Sequence, residues 1–230
     1  MSKKNSLTIA HTLVPSLPAA SFAELVALAK ALDGVSYGFQ IDIVDGKFVP
    51  HTSWPFTESN VAEELEKITT LPSTYEYELD CMIEQPEQYL EIFKTLPIKK
   101  LIIHVGSTDQ YGAIIRHARL HSYQIGLAFT NDVPLSFVYP YLDKIDFVQI
   151  MGIAKVGQQG QPFDERTLMT AKTLRQQYPE LSIAVDGSVN AETIPRLLEA
   201  GVNHFAPGSA ISRASDPVSA YKQLRSLLPE

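Results

Sequence analysis

Ser21-Phe22-Ala23-Glu24-Leu25-Val26-Ala27-Leu28-Ala29-Lys30-Ala31-Leu32-Asp33-Gly34, followed closely by Tyr37-Gly38-Phe39-Gln40-Ile41-Asp42-Ile43, is the unit from which this chain is built. In the first stretch Phe22, Leu25, Val26, Leu28, Ala29 and Leu32 gather on one broad face at helical spacing. Ser21 is of the type that caps a helix start, and Gly34 of the type that ends one. The second stretch is short and rich in β-branched and aromatic residues, which predicts a strand.

The same alternation runs along the whole sequence. Strands are predicted at about 7–11, 37–43, 75–82, 99–104, 123–129, 145–151, 181–186 and 202–206. Helices are predicted at about 21–32, 57–70, 86–95, 108–120, 134–142, 164–178, 190–200 and 216–228. Several open on a polar cap followed by an acid, most clearly Asp164-Glu165 and Asn190-Ala191-Glu192. A helix after every strand returns the chain to the same end of the sheet, so the strands must pair in parallel. Eight units predict an α/β protein folded as a closed (β/α)8 TIM barrel. A doubly wound open sheet is the competing architecture, and no Gly-rich fingerprint follows the first strand to support it. No low-complexity linker or shift in composition divides the chain, so residues 1–230 are read as a single barrel domain.

Composition narrows the function. The 230 residues are 45% hydrophobic and 20% charged, within the range of ordinary globular proteins. With 26 acids against 19 bases and a net charge of −7, and with no basic stripe, the chain would repel nucleic acid. No window reaches the roughly 20 apolar residues of a membrane-spanning helix, and the N-terminus does not read as a signal peptide. The single Cys81 has no partner for an internal disulfide. The expectation is a soluble, cytoplasmic protein that uses neither nucleic acid nor membrane.

Barrels of this kind carry their chemistry at the carboxyl ends of the strands and in the loops that follow. Gln40, Asp42 and Val44 share one face of the second predicted strand, and Glu78, Asp80 and Met82 one face of the third. The fourth ends at His104, the sixth at Met151-Gly152, and the seventh at Asp186-Gly187-Ser188. Carboxylates inside apolar strands are costly unless paired, hydrogen-bonded or bound to a cation. Any one of Asp42, Asp80 and Asp186 could point outward or satisfy backbone amides, but together they sit where a barrel builds its site. Asp186-Gly187-Ser188 and Gly208-Ser209-Ala210 follow the last two strands, where barrels bind phosphate through backbone N–H groups. The plainer reading makes these glycines tight turns. Residues 152–160 could close over a ligand as a lid, with Lys155 as its only cation.

These strand ends, in this order, resemble those of the ribulose-phosphate 3-epimerase family. The most specific segments are Ile41-Asp42-Ile43-Val44-Asp45-Gly46-Lys47-Phe48-Val49-Pro50, Met82-Ile83-Glu84-Gln85-Pro86-Glu87-Gln88-Tyr89 and Val185-Asp186-Gly187-Ser188-Val189-Asn190, with Gly208-Ser209-Ala210-Ile211 closing the pattern. The resemblance implies a barrel of the ribulose-phosphate-binding type acting as a sugar-phosphate 3-epimerase, which interconverts ribulose 5-phosphate and xylulose 5-phosphate or close relatives. It makes Asp42 and Asp186 the acid and base on opposite faces of an enediolate. It implies substrate contacts at Thr12, His104, Gly187, Ser188, Gly208 and Ser209. It also implies a divalent metal, which the family commonly holds with two histidines and two aspartates. Here Gln40 and Asp80 stand at the histidine positions, so the implied ligands are Gln40, Asp42, Asp80 and Asp186. Mg, Mn, Fe and Zn are all candidates; an all-oxygen set favours Mg²⁺, Mn²⁺ or Ca²⁺ over Zn²⁺. If no metal binds, at least one carboxylate stays protonated or finds a cation such as Lys155.

Other positions are read two ways. His51 follows the Phe-Val-Pro segment and is either a replacement ligand or a solvated loop histidine. Met82 and Met151 line the floor of the site or simply fill the core. Thr12 keeps the hydroxyl of the family's serine, and Pro15 and Pro18 are read as part of the loop that follows it. Family members are often oligomeric, so a homo-oligomer is implied, although no stretch identifies an interface. Two further functions compete with epimerisation: a barrel that binds a sugar phosphate without turning it over, and an enzyme forming a Schiff base at Lys155.

Overall fold

The computed structural model describes residues 10–157 and 160–229. Nine strand segments form one parallel sheet: β1 (Thr12–Leu13), β2 (Ser16–Pro18), β3 (Gly38–Val44), β4 (Glu76–Met82), β5 (Ile98–His104), β6 (Gln124–Phe129), β7 (Phe147–Met151), β8 (Ser182–Asp186) and β9 (His204–Ala206). Their spatial order is β1-β9-β8-β7-β6-β5-β4-β3-β2. The two ends of that order, β1 and β2, are one continuous stretch of chain. Val14 N and Ser16 N donate to the Phe205 and Pro207 carbonyls, and Gln40 N donates to the Pro15 carbonyl. Residues 12–18 therefore join β9 to β3 and close the sheet into a (β/α)8 barrel.

This corrects the first predicted strand. Of the predicted 7–11, residues 7–9 lie outside the described residues, and the strand that closes the barrel is 12–18. Pro18 belongs to β2 and not to a loop, while Pro15 lies in the short break between β1 and β2. Pro15 contributes no N–H, so it interrupts the ladder between β1 and β2 while its carbonyl still pairs with β3. The remaining strands fall where the alternation puts them.

The helices are α1 (Phe22–Ala31), α2 (Val61–Glu66), α3 (Leu90–Phe93), α4 (Tyr111–His121), α5 (Leu135–Val138), α6 (Arg166–Gln177), α7 (Thr193–Glu199), α8 (Ser209–Ser212) and α9 (Pro217–Arg225). Ser21 Oγ accepts from Glu24 N at the start of α1, and Gly34, at φ +74°, ends the turn after it. Predicted helices 57–70, 86–95 and 134–142 are shorter and partly 3₁₀. Asn60 caps α2 only after the turn that opens the first, and Pro86 and Pro140 sit inside 3₁₀ turns in the other two. α8 is an extra turn that the periodicity does not predict. No helix among the described residues is long and apolar enough to cross a membrane.

The two faces of the barrel strands do different work. Phe39, Ile41 and Ile43 of β3 pack outward with Leu25, Ala29 and Leu65 in the main core. Inside the barrel a smaller cluster of Ile102, Ala128, Phe147, Met151 and Ala184 fills part of the space. Gly126 makes room for it, since a Cβ there would lie 2.3 Å from the Phe147 ring. The rest of the interior is polar: Gln40, Glu78, Asp80, His104, Gln149 and His204 are all buried.

Candidate active site

The polar interior has two tiers. In the lower one Glu78 accepts from Lys100 Nζ at 2.7 Å and is paired with His204 Nε2 at 3.0 Å. His204 Nδ1 is hydrogen-bonded to Thr12 Oγ1 at 2.5 Å. Burial alone would raise the Glu78 carboxyl, but the His204 and Lys100 charges and hydrogen bonds outweigh it and hold it down to about 2. This tier gives the buried Glu78 of β4 its partners.

The upper tier holds three carboxylates. Register sets Asp42 on β3 beside Asp80 on β4, while Asp186 ends β8 beside Met151 of β7. The three offer ligand atoms that all lie within 4.8 Å of one another, and all three side chains are buried. Gln40 Nε2 donates to Asp42 Oδ1 and to Asp186 Oδ2, each at 2.9 Å, and lies 3.5 Å from Asp80 Oδ2. Asp80 is clamped from the other side by His104 Nε2 on Oδ1 at 2.8 Å and by Gln149 Nε2 on Oδ2 at 2.9 Å. Ser16 Oγ donates to Asp42 Oδ2 at 2.5 Å.

Confined charge shapes the titration of this group. Burial, and then the charge of Asp80, push the Asp42 carboxyl up to about 7. Burial, then the charges of Asp42 and Asp80, push Asp186 well above the usual carboxylate range. Like-charged neighbours out of water favour shared protons or a cation between them.

The donor set fits a hard divalent ion. Ligands that are neighbours around an octahedral ion with bonds of about 2.1 Å stand roughly 3.0 Å apart. The terminal amide atom of Gln40 keeps that spacing to Asp42 and Asp186. Gln40 Oε1 is buried with no hydrogen-bond partner among the described residues. Turning the amide over brings this oxygen to the carboxylates, an arrangement favourable only around a cation. Asp42, Asp80, Asp186 and Gln40 can thus hold one divalent cation.

A cavity of about 100 Å³ opens above the carboxylates. Asp42 and Asp186 line it, as do Ser16, Met82 and Met151. Gly187, Ser188, Gly208 and Ser209 form another part of the wall. Gly187, at φ +93°, lets its turn pack tightly, since a Cβ there would lie 2.8 Å from Ile153. Asp80 is absent from the lining, so two carboxylates face the cavity and the third stands behind them.

Two implied substrate contacts are placed otherwise by the fold. Thr12 is exposed and bonded to His204 in the lower tier; the first-strand hydroxyl that reaches the carboxylates is Ser16, four residues on. The cause is the strand's true extent, 12–18, which moves the carboxyl end of β2 past Thr12. His104 is buried against Asp80 and does not line the cavity. His51 lines the rim against Gly157, where a Cβ would lie 2.4 Å from His51 Cε1, and stands outside the carboxylate group. Lys155 is exposed and absent from the lining. Gln149 lies in the middle of β7 rather than at its carboxyl end, and its one mark in the sequence is an amide in an otherwise apolar strand.

Fold and site together define a class: a (β/α)8 barrel enzyme whose cavity at the carboxyl ends of the strands is floored by a carboxylate cluster. The sequence profile of the ribulose-phosphate 3 epimerase family matches residues 12–212. The ribulose-phosphate 3-epimerase of Mycobacterium tuberculosis (strain ATCC 25618 / H37Rv) is 31% identical over 221 residues, covering 93% of this chain and 91% of that one. That of Bacillus subtilis (strain 168) is 29% identical over 223 residues, covering 93% and 97%. A crystal structure of 3-hexulose-6-phosphate synthase superposes with a TM-score of 0.73 at 17% identity, covering 94% of this chain and 99% of that one. A crystal structure of KGPDC from Streptococcus mutans gives 0.69 at 14% identity, covering 96% and 97%. This chain belongs to the ribulose-phosphate 3-epimerase family and is an isomerase-class enzyme.

Proposed function

We propose that this protein interconverts ribulose 5-phosphate and xylulose 5-phosphate, or a closely related pair of ketose phosphates, by moving a proton at carbon 3. The observation that carries the reading is the pair Asp42 and Asp186, which alone among the three clustered carboxylates line the cavity. An ionised carboxylate takes the C3 proton, and the electron pair left behind spreads into the neighbouring carbonyl as an enediolate. The other carboxylic acid returns a proton to the opposite face. Each turnover leaves the two protonation states exchanged, and reverse turnover restores them. Such a pair needs one member protonated near neutrality. Asp42 at about 7, and Asp186 well above the usual range, support that role.

Without a cation, Gln40 Nε2 bridges the two carboxylates, and Ser16 orients Asp42; with the amide turned over, Gln40 Oε1 takes the place of Nε2. Asp42, Asp80, Asp186 and the Gln40 oxygen would hold Mg²⁺ or Mn²⁺ in preference to Zn²⁺, because every donor is a hard oxygen. When bound, the cation supplies positive charge beside the developing enediolate. Backbone N–H groups at Gly187 and Gly208, with the Ser188 and Ser209 residues, are the proposed phosphate contacts, supported by their shared place in the cavity wall.

The test is a coupled epimerase assay with Mg²⁺, Mn²⁺, Fe²⁺ and Zn²⁺ added in turn, alongside exchange of the C3 hydrogen in deuterated water. Wild type turns over and exchanges; Asp186→Asn loses on the order of 10²–10⁴ in rate while ribose 5-phosphate still raises its Tm. Thermal stabilisation by a sugar phosphate with no turnover under any ion would refute epimerisation.

A further inference from the structure

Gln149 is fully buried in β7, where the other four residues are Phe147, Val148, Ile150 and Met151. Its side chain enters the barrel interior beside the apolar cluster of Ile102, Ala128, Phe147, Met151 and Ala184. Nε2 donates to Asp80 Oδ2 at 2.9 Å, with Met151 Sδ 3.8 Å away. Oε1 is buried with no hydrogen-bond partner among the described residues. An orphaned buried amide oxygen costs about 1–3 kcal/mol. A methionine would fill similar space without that cost, so packing does not explain the amide. Its one strong contact is Asp80.

We infer that Gln149 is a positioning residue: by holding Asp80 Oδ2 while His104 holds Oδ1, it fixes the carboxylate behind the cavity and so sets the affinity of the cluster for a divalent cation. Asp80 is wholly buried, and its two clamps come from different strands, His104 from β5 and Gln149 from β7. With both in place the carboxylate cannot turn about its Cβ–Cγ bond, and its remaining lone pairs stay directed at the other two carboxylates. Without Gln149 the His104 bond becomes a pivot. Partners of this kind are worth 10–100-fold in metal affinity. The inference rests on the reading that Asp42, Asp80 and Asp186 hold a cation.

The experiment measures Mn²⁺ binding to the full chain by the EPR signal of free Mn²⁺, together with the Tm of metal-free protein. Wild type and Gln149→Met are compared with Ile150→Val, a core change on the same strand that touches no carboxylate. The expected result is a Kd for Mn²⁺ raised about 10–100-fold in Gln149→Met. Its metal-free Tm changes little, because relief of the orphan oxygen offsets the hydrogen bond lost by Asp80. Ile150→Val lowers Tm and leaves Kd within twofold. A Kd unchanged in Gln149→Met, or weakened no more than in Ile150→Val, overturns the inference alone. If wild type binds no Mn²⁺ at millimolar concentration, the cation reading fails and the inference falls with it. Should Gln149→Met fail to fold, Gln149→Leu is read by the same criteria.

Discussion

Replacing Glu78 by Gln tests whether the lower tier is an ion-paired support for the barrel. The carboxylate is buried and bonded to Lys100 Nζ at 2.7 Å and His204 Nε2 at 3.0 Å. The amide sets an NH₂ group against one of those two donors and removes the charge that balances them. Breaking a buried pair from one side costs about 3–5 kcal/mol. The titration gives a second route to the same scale. The folded carboxyl lies at about 2 against an ordinary value of 4.5, which at about 1.36 kcal/mol per pH unit is on the order of 3 kcal/mol. Because the folded value is the lower one, this contribution is whole above about pH 4.5 and is lost as pH falls towards 2.

Urea unfolding followed by circular dichroism, at pH 7 and at pH 3, reads both quantities. The expected loss in Glu78→Gln is about 3 kcal/mol at pH 7 and less than half of that at pH 3. Replacing Glu78 and Lys100 together by methionine should recover only part of the loss, since buried His204 is still left without its carboxylate partner. A loss below about 1 kcal/mol at pH 7, or one that does not change with pH, would show that the pairing contributes little and refute the reasoning.

Three further outcomes are expected. Ser16→Ala removes a hydrogen bond that lowers the Asp42 carboxyl, so Asp42 titrates above about 7 and the acid limb of the pH–rate profile moves to higher pH; an unmoved limb would separate Ser16 from Asp42. Gly126→Ala drives a methyl to 2.3 Å from the Phe147 ring and should cost about 1–3 kcal/mol in chemical denaturation; a neutral result would mean that Phe147 moves freely. Lys155→Ala should keep full turnover, and borohydride should trap no adduct in wild type, because Lys155 is exposed and outside the cavity lining; a trapped adduct would restore the Schiff-base reading.

The barrel was legible because its signals are local. Helical and two-residue periods, the Ser21 cap and the Gly34 stop act over a few residues, and eight repeats of strand and helix leave few architectures open. Asp42, Asp80 and Asp186 were legible for a related reason: a carboxylate in an apolar strand is conspicuous before any partner is known.

Closure of the barrel settles who meets whom. Thr12 and Ser16 are both hydroxyls near the first strand, and their roles depend on where residues 12–18 slot between β9 and β3, a pairing spread over nearly the whole chain. Gln149 reaches Asp80 from 69 positions away, and His204 reaches Glu78 from 126. Hydrogen bonds across a barrel interior leave no periodic trace along the chain, because the strands that share them are joined by helices of variable length. Residue order alone was enough to show strands alternating with helices around acidic strand ends. Which two acids face the cavity, which one stands behind them, and which neighbours hold it there are consequences of three-dimensional closure, since each depends on contacts between strands far apart in the chain.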